Sequence, residues 1–262
     1  DEFEIIGFYY GDVKKDKTHL RIKKNFDKFF YVNNLEDKEI LKLSLENKID
    51  IAIYRAGLTI NARSSIFSQK VAPIQVNFLG YPGTTGQKGI DYIISDRFVI
   101  PEKDEKFYSE NIIFLTNCYY PRDNSRKISD KKFFREKFKI PENSFVFCSF
   151  NSAYKITKYE FKIWMELLVQ VKNSVLLLLA TDNKMKLNLI NEAKKADIEN
   201  KKLIFLEKIN LDDHLSRHSL ADLFLDSFNY NAHTSAVDAL WAGLPILTKA
   251  GNSFASRICG SI

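Results

Sequence analysis

The densest run of groups able to do chemistry is Asn231-Ala232-His233-Thr234-Ser235-Ala236-Val237-Asp238, followed by Ala239-Leu240-Trp241-Ala242-Gly243-Leu244-Pro245. The pattern reads as the opening of a helix that closes at Gly243 and Pro245. A helix start leaves backbone amides without partners and carries the positive end of the dipole. His233, Thr234 and Ser235 can therefore join those amides around a phosphate or diphosphate. Asp238 lies four residues after Thr234, one turn deeper on roughly the same face, where a carboxylate can accept hydrogen bonds from ribose hydroxyls. A plainer reading competes with this one: Asn231 or Thr234 caps the helix and Asp238 is solvated. The segment alone does not choose between them.

Three further groups invite attention. Asn151-Ser152-Ala153-Tyr154-Lys155 follows an apolar strand, at the end where open α/β sheets bind ligands. Lys155 there can neutralise charge building on a departing diphosphate, or can be a surface lysine. His214 and His218 have the spacing of a zinc pair, but Leu215 stands where a metalloprotease has Glu, and no third ligand is evident. An imidazole stacked on a base, with Arg217 beside it as a donor, suits the pair better than metal; two surface histidines are the simpler alternative. Gly80-Tyr81-Pro82-Gly83-Thr84-Thr85-Gly86 resembles a phosphate loop only in its glycines. Gln87 replaces the lysine of that motif and Pro82 removes a donor, so a tight turn required by backbone geometry explains it equally.

These groups need a scaffold, and the hydrophobic rhythm supplies one. Residues 3–10, 29–32, 50–54, 73–79, 92–95 and 112–115 read as strands, with a helix over 35–47. A polar stretch at 121–130 has the look of a connection, followed by a short helix at 131–138. The alternation then restarts. Strands at 145–150, 174–180, 203–206, 223–226 and 245–248 alternate with helices at 158–171, 183–195, 211–218 and 234–241, and another helix begins near 253. Two such blocks predict an α/β fold of two Rossmann-like lobes, residues 1–125 and 126–262, with parallel sheets facing across a cleft. The chain opens directly on a strand and stops inside a helix, so the expectation is a piece of a longer protein with an incomplete N-terminal lobe.

The chain has 262 residues, 45% hydrophobic and 27% charged, as in ordinary soluble domains. No apolar run approaches the roughly 18 residues of a membrane span; the longest, 175–180, is strand-sized. Acid residues at the start replace the basic region of a signal peptide. The net charge of +6 comes from lysines interleaved with acids, which argues against a nucleic-acid partner. Cys118, Cys148 and Cys259 form no CxxC pair, which fits a reducing cytoplasm without a disulfide framework.

Taken in order, several segments resemble the O-linked N-acetylglucosamine transferase family. They are Ala72-Pro73-Ile74-Gln75-Val76, Leu79-Gly80-Tyr81-Pro82-Gly83-Thr84 with Asp91-Tyr92-Ile93-Ile94, and Phe145-Val146-Phe147-Cys148 through Tyr154-Lys155-Ile156. His214 with Arg217, Leu220-Ala221-Asp222, and the Asn231 to Gly243 run complete the set. The resemblance implies a GT-B architecture and an inverting transfer of a sugar from a UDP-sugar, with no metal or other cofactor. It implies Lys155 at the leaving diphosphate, and His233, Thr234 and Ser235 cradling it, Ser235 replacing a second Thr. Asp238 would hold the ribose and His214 with Arg217 the uracil; Pro82, Gly83, Thr84 and Ser152 would line the cleft. Tyr54-Arg55-Ala56-Gly57 stands where the family has Asp-Leu-His-Gly, so Ala56 replaces a cleft histidine. The implied partners are UDP-N-acetylglucosamine and protein Ser or Thr hydroxyls, often with tetratricopeptide repeats upstream. Another UDP-hexose, a glycan acceptor, or a non-catalytic UDP-sugar-binding module are the alternatives.

Overall fold

The computed structural model of the chain describes residues 2–12, 16–179 and 182–262. The chain forms two compact units, Asp1–Ile94 with Lys106–Ile113, and Ser95–Glu105 with Phe114–Ile262. Among the described residues no helix is long and apolar enough to cross a membrane.

In the first unit β1 (Ile6–Tyr9), α1 (Lys17–Lys23), β2 (Lys28–Tyr31), α2 (Asp37–Glu46), β3 (Ile51–Tyr54), α3 (Ser65–Ser68) and β4 (Ile74–Asn77) follow one another. β5 (Tyr92–Asp96) and β6 (Asn111–Leu115) complete a four-stranded sheet of order β3-β4-β5-β6, and their last residues pass into the second unit. β1 and β2 form a separate parallel pair with Ile6 opposite Lys28. Helix α2 begins on a capping box between Glu36 and Glu39 and buries Ile40 and Ser44. Its apolar stripe closes a small core with Val32, Ile66 and Val71. Helix α1 has no such stripe and was not legible as a helix; Asp16 caps it by accepting from the His19 amide. A cavity of about 540 Å³ is lined by every residue of 5–10 and 51–55. Side chains alternate along a strand, so consecutive lining residues mean that the cavity meets the open edges of β1 and β3 rather than a face of either.

The second unit is a five-stranded parallel sheet of order β11-β10-β7-β8-β9. Its strands are β7 (Phe145–Ser149), β8 (Ser174–Leu179), β9 (Leu203–Leu206), β10 (Leu223–Leu225) and β11 (Ile246–Leu247), with Phe145 opposite Ser174 and Phe224 opposite both Cys148 and Ile246. The helices are α4 (Lys158–Gln170), α5 (Asn183–Lys195), α6 (Leu211–Ser216), α7 (Thr234–Trp241) and α8 (Ile258–Ser261). Alternation divides β7 and β8 between two cores. Val146, Cys148, Val175 and Leu177 meet Ala236 and Ala239 of α7, while Phe147, Leu176 and Leu178 meet Phe161, Trp164 and Leu168 of α4. Burial on both faces is what a parallel sheet demands, and each buried leucine contributes about 1.5–3 kcal/mol.

Most expected elements are present within a residue or two, and the α/β class with parallel sheets holds. Ala180, at the end of the expected 174–180 strand, lies outside the described residues. The expected helix at 131–138 shrinks to a 3-10 turn at Arg135–Phe138. Tertiary bonds claim the backbone before it: the Ser129 amide donates to Asp212 O, and Lys131 O accepts from Ser216 Oγ.

Candidate active site

Chain order sets where the second sheet can bind. From β7 the path moves outward to β8 and β9, then returns to the other side of β7 as β10 and β11. The carboxyl ends of β7 and β10 therefore flank a topological switch point, the usual ligand crevice of open α/β sheets. The segment after β7 carries Asn151, Ser152 and Lys155, and the segment after β10 carries Asp226, Tyr230, Asn231 and His233.

The structure brings Lys155 and the start of α7 together. Lys155 Nζ donates to Asn231 O at 2.8 Å and lies 4.2 Å from the centre of the Tyr230 ring. Burial pulls its pKa down to about 8, against the opposing pull of the Asp226 carboxylate and Cys259. The Tyr230 ring stacks on His233 at 5.1 Å. Burial, then the nearby Lys155 ammonium, lowers His233 to about 3, so its imidazole is neutral at physiological pH. Thr234 is exposed and its hydroxyl shares a 3.1 Å hydrogen bond with the Tyr120 hydroxyl; Ser235 is half-buried and Ser152 exposed.

Neither Asn231 nor Thr234 caps α7. His233 is the N-cap residue and makes no side-chain cap bond, while Asn231 Nδ2 turns back to Ser227 O. The Ala236 amide turns back onto His233 O at 3.0 Å, which leaves the Thr234 and Ser235 amides to an outside acceptor. Asp238 is not solvated either. It is 6% exposed, and Arg126 Nη1 sits 2.6 Å from its Oδ1. That approach is off the hydrogen-bonding direction, and Arg126 Nε and Nη2 are also buried without hydrogen-bond partners.

His214 and Arg217 form a second cluster in the same unit. Arg217 Nε donates to His214 Nδ1 at 2.8 Å and its Nη1 to Glu207 O at 2.5 Å. Phe150 lies under both, 5.4 Å from the His214 ring and 5.5 Å from the guanidinium. Burial, then His218, Arg217 and Arg126, pulls His214 down to about 3; burial lowers Arg217 to about 10. Arg217 is only 3% exposed, so it acts on its surroundings mainly by fixing His214. His218 turns its Nδ1 onto His214 O, an arrangement that spends one ring nitrogen of the HxxxH pair on backbone.

Pro82, Gly83 and Thr84 lie in the first unit, on a turn held from beneath. Glu110 is buried, and its Oε1 accepts from the Thr85 amide and hydroxyl, each at 2.7 Å. Its Oε2 accepts from Thr84 Oγ1 at 2.5 Å and Ser109 Oγ at 3.0 Å. Burial pushes its pKa up, but the bonds from Thr84 and Thr85 outweigh that and hold it below the usual range. Gly80 and the neighbouring Gly57 are there for space. A Cβ on Gly80 would sit 1.7 Å from Arg55 O, and one on Gly57, at φ +56°, 2.3 Å from Tyr81 Cβ. Ala56 thus packs directly beside this turn.

Asp226 and Arg126 in the second unit, and Glu110 in the first, each organise their own surroundings and carry no signal of that in the sequence motifs. An acid closing an apolar strand at a switch point was the available signal for Asp226.

Two units of parallel sheet and helix, the second with a switch-point crevice, are the make-up of the GT-B fold. In a mutant O-GlcNAc transferase from Thermobaculum terrenum the same fold is found with a TM-score of 0.87 at 24% identity, covering 98% of this chain and 49% of that one. Anabaena HepE, solved with UDP and glucose, matches with a TM-score of 0.57 at 13% identity over 97% of this chain and 80% of its own. The chain belongs to glycosyl transferase family 41, whose model matches residues 2–133 and 132–262. It is 34% identical over 262 residues to the probable UDP-N-acetylglucosamine–peptide N-acetylglucosaminyltransferase SEC of Arabidopsis thaliana, covering 97% of this chain. It is 29% identical over 261 residues to the protein named SPINDLY in Oryza sativa subsp. japonica, covering 95% of this chain. The chain spans 27% and 28% of the lengths of these two relatives.

Proposed function

We propose that this chain is part of an inverting, metal-independent transferase that moves N-acetylglucosamine from UDP-N-acetylglucosamine to Ser or Thr hydroxyls of proteins. The observation that carries the reading is the seating of the Lys155 ammonium beside the uncapped start of α7, at the switch point of the second sheet. A diphosphate bound there meets a cation, the Thr234 and Ser235 amides, and the hydroxyls of the same two residues. As the sugar leaves, negative charge grows on the departing UDP, and an ammonium already fixed in place stabilises it without reorganisation. Neutral His233 offers its buried, unpartnered Nε2 as a further hydrogen-bonding atom. His214, backed by Phe150 and held by Arg217, presents a flat ring for the base. Asp238 serves the ribose through whichever oxygen Arg126 leaves open.

The names of the plant relatives favour a peptide acceptor. Ala56 favours a second reading, a UDP-sugar-binding module without turnover, because a non-titrating methyl replaces the imidazole beside the Pro82–Thr84 turn. Calorimetry of the full-length protein with UDP, followed by transfer of labelled N-acetylglucosamine to peptide acceptors, separates the two. Binding with transfer is the expected result. Binding without transfer establishes the module, and absence of UDP binding removes both readings.

A further inference from the structure

One peptide group joins two charges in the second unit. The carbonyl of Asn231 accepts from Lys155 Nζ at 2.8 Å, while the amide of Ala232, the other half of the same peptide plane, donates to Asp226 Oδ1 at 2.7 Å. The peptide is trans, so its C=O and N–H point in opposite directions. Lys155 therefore sits at the negative pole of an amide dipole whose positive pole rests on a carboxylate. Asn231, Ala232 and Asp226 are all essentially inaccessible, at 0%, 0% and 1% exposure, so water does not screen the arrangement. Asp226 itself is fixed. Its Oδ1 also accepts from the Ser227 amide at 2.7 Å and Asn151 Nδ2 at 3.1 Å, and its Oδ2 accepts from Thr248 Oγ1 at 2.7 Å. A half-buried lysine on an ordinary carbonyl tends to shed its proton. One on a carbonyl polarised by a carboxylate is held charged and aimed.

We propose that Asp226 is a positioning residue that acts through the Asn231–Ala232 peptide to hold the Lys155 ammonium charged and directed at the diphosphate. The part concerning the diphosphate rests on the reading of Lys155 given above; the coupling between the two side chains does not. The groups facing Lys155 are Asp226 at the end of β10, Tyr230 in the following loop, His233 ahead of α7 and Cys259 on α8. Burial, then Asp226, pushes the Cys259 thiol up to about 12, and His233 is neutral above about pH 3. Lys155, lowered to about 8, thus titrates in a window that lies between those of His233 and Cys259.

The first test needs no variant. In the isotope-labelled 262-residue chain, the Lys155 side-chain resonances and the Ala232 amide proton are followed by NMR from pH 6 to 10. The expected result is a common midpoint, because the amide lies between the two charges. An Ala232 amide that stays still while Lys155 titrates overturns the proposal. The second test compares Asp226→Asn with Thr248→Val, which removes only a neutral donor. Asp226→Asn should lower the Lys155 midpoint by about one unit, while Thr248→Val leaves it in place. Equal shifts in both would make packing the cause and overturn the proposal. In the full-length enzyme the same Asp226→Asn change should cost about eightfold in kcat/KM at pH 8.5 and under twofold at pH 6.5, as the protonated fraction of a lysine moved by one unit requires. A purely structural role would cost the same factor at both pH values. If the unaltered enzyme transfers no sugar while Lys155 and Ala232 still titrate together, the assigned reaction fails and the coupling stands.

Discussion

The turn at residues 80–86 and the loops after β7 and β10 both follow parallel strands and both rest on a buried carboxylate, yet they are built differently. In the first unit Glu110 receives four hydrogen bonds, all from residues of the turn or its own neighbour, and the result is a fixed shape. In the second unit Asp226 also receives four, but what it fixes is a peptide that supports a cation. In the loops after β7 and β10 His233 Nε2, Asn151 Oδ1 and Asn231 Oδ1 are buried without partners. Folded proteins satisfy nearly all such groups, so in the reading proposed above the His233 Nε2 is hydrogen-bonding capacity open to a ligand. A carboxylate that shapes a turn and one that supports a charge should fail in different ways when removed.

The largest difference should appear at Lys155. In the full-length enzyme Lys155→Ala is expected to lower kcat by about 10²–10³-fold, the scale of losing one preorganised charge-stabilising group, while donor affinity changes far less. Steady-state kinetics with UDP-N-acetylglucosamine decide the matter; an unchanged kcat would remove Lys155 from the mechanism. At Glu110 the expected loss is stability and order. Glu110→Ala leaves the buried Thr85 amide without its acceptor, at a cost of about 2–3 kcal/mol in the first unit. Hydrogen exchange at Thr85 and Gly86 should accelerate accordingly, and slow exchange there would show that the turn holds its shape without the carboxylate.

A smaller effect concerns acid. His233 and His214 are neutral in the folded chain down to about pH 3, whereas an unfolded histidine takes up a proton near 6.5. Between those values the unfolded state binds more protons, so the stability they contribute is complete above pH 6.5 and is lost as pH falls towards 3. Urea denaturation followed by fluorescence of Trp164 and Trp241, both in the second unit, should show falling midpoints over that window. His233→Gln should flatten the slope. An unchanged slope would mean that His233 is not held neutral by its surroundings.

Much of the second unit was legible because local chemistry and tertiary packing agree there. Thr157 and Glu160 form the capping box that starts α4, Asp182 caps α5, and Gly243 at φ +81° lies just beyond the end of α7. The placement of Lys155 and His233 was legible as well, because each stands at a strand or helix end. What escaped were pairings between distant segments. Arg126 lies in a stretch that reads as a mere connection, yet it meets Asp238 more than a hundred residues later and accepts from Trp241 Nε1. Glu110 reaches back to Thr84, and Asp226 looked like nothing more than the end of a strand. Neither periodicity nor propensity encodes such contacts. Helix α1 escaped for the opposite reason: it buries no residue, so no apolar stripe marks it.

Two aspartates on either side of one strand differ in the same way. Asp222 precedes β10 and Asp226 follows it, and both accept from backbone and side chain. Asp222 takes two bonds from Arg135 Nη2, at 3.0 and 2.9 Å, and one from the Val146 amide at 2.7 Å, with its side chain 37% exposed. Solvent screens that pair, so Asp222→Asn should cost only about 1 kcal/mol in the second unit. The change should leave the pH dependence of kcat/KM as it was, because Asp222 bonds to Arg135 and Val146 and not, among the described residues, to the Asn231–Ala232 peptide. Denaturation and a pH–rate profile of this one variant measure both quantities. If Asp222→Asn moved the alkaline limb as far as Asp226→Asn does, net charge of the unit would govern Lys155, and the single peptide between it and Asp226 would lose its special role.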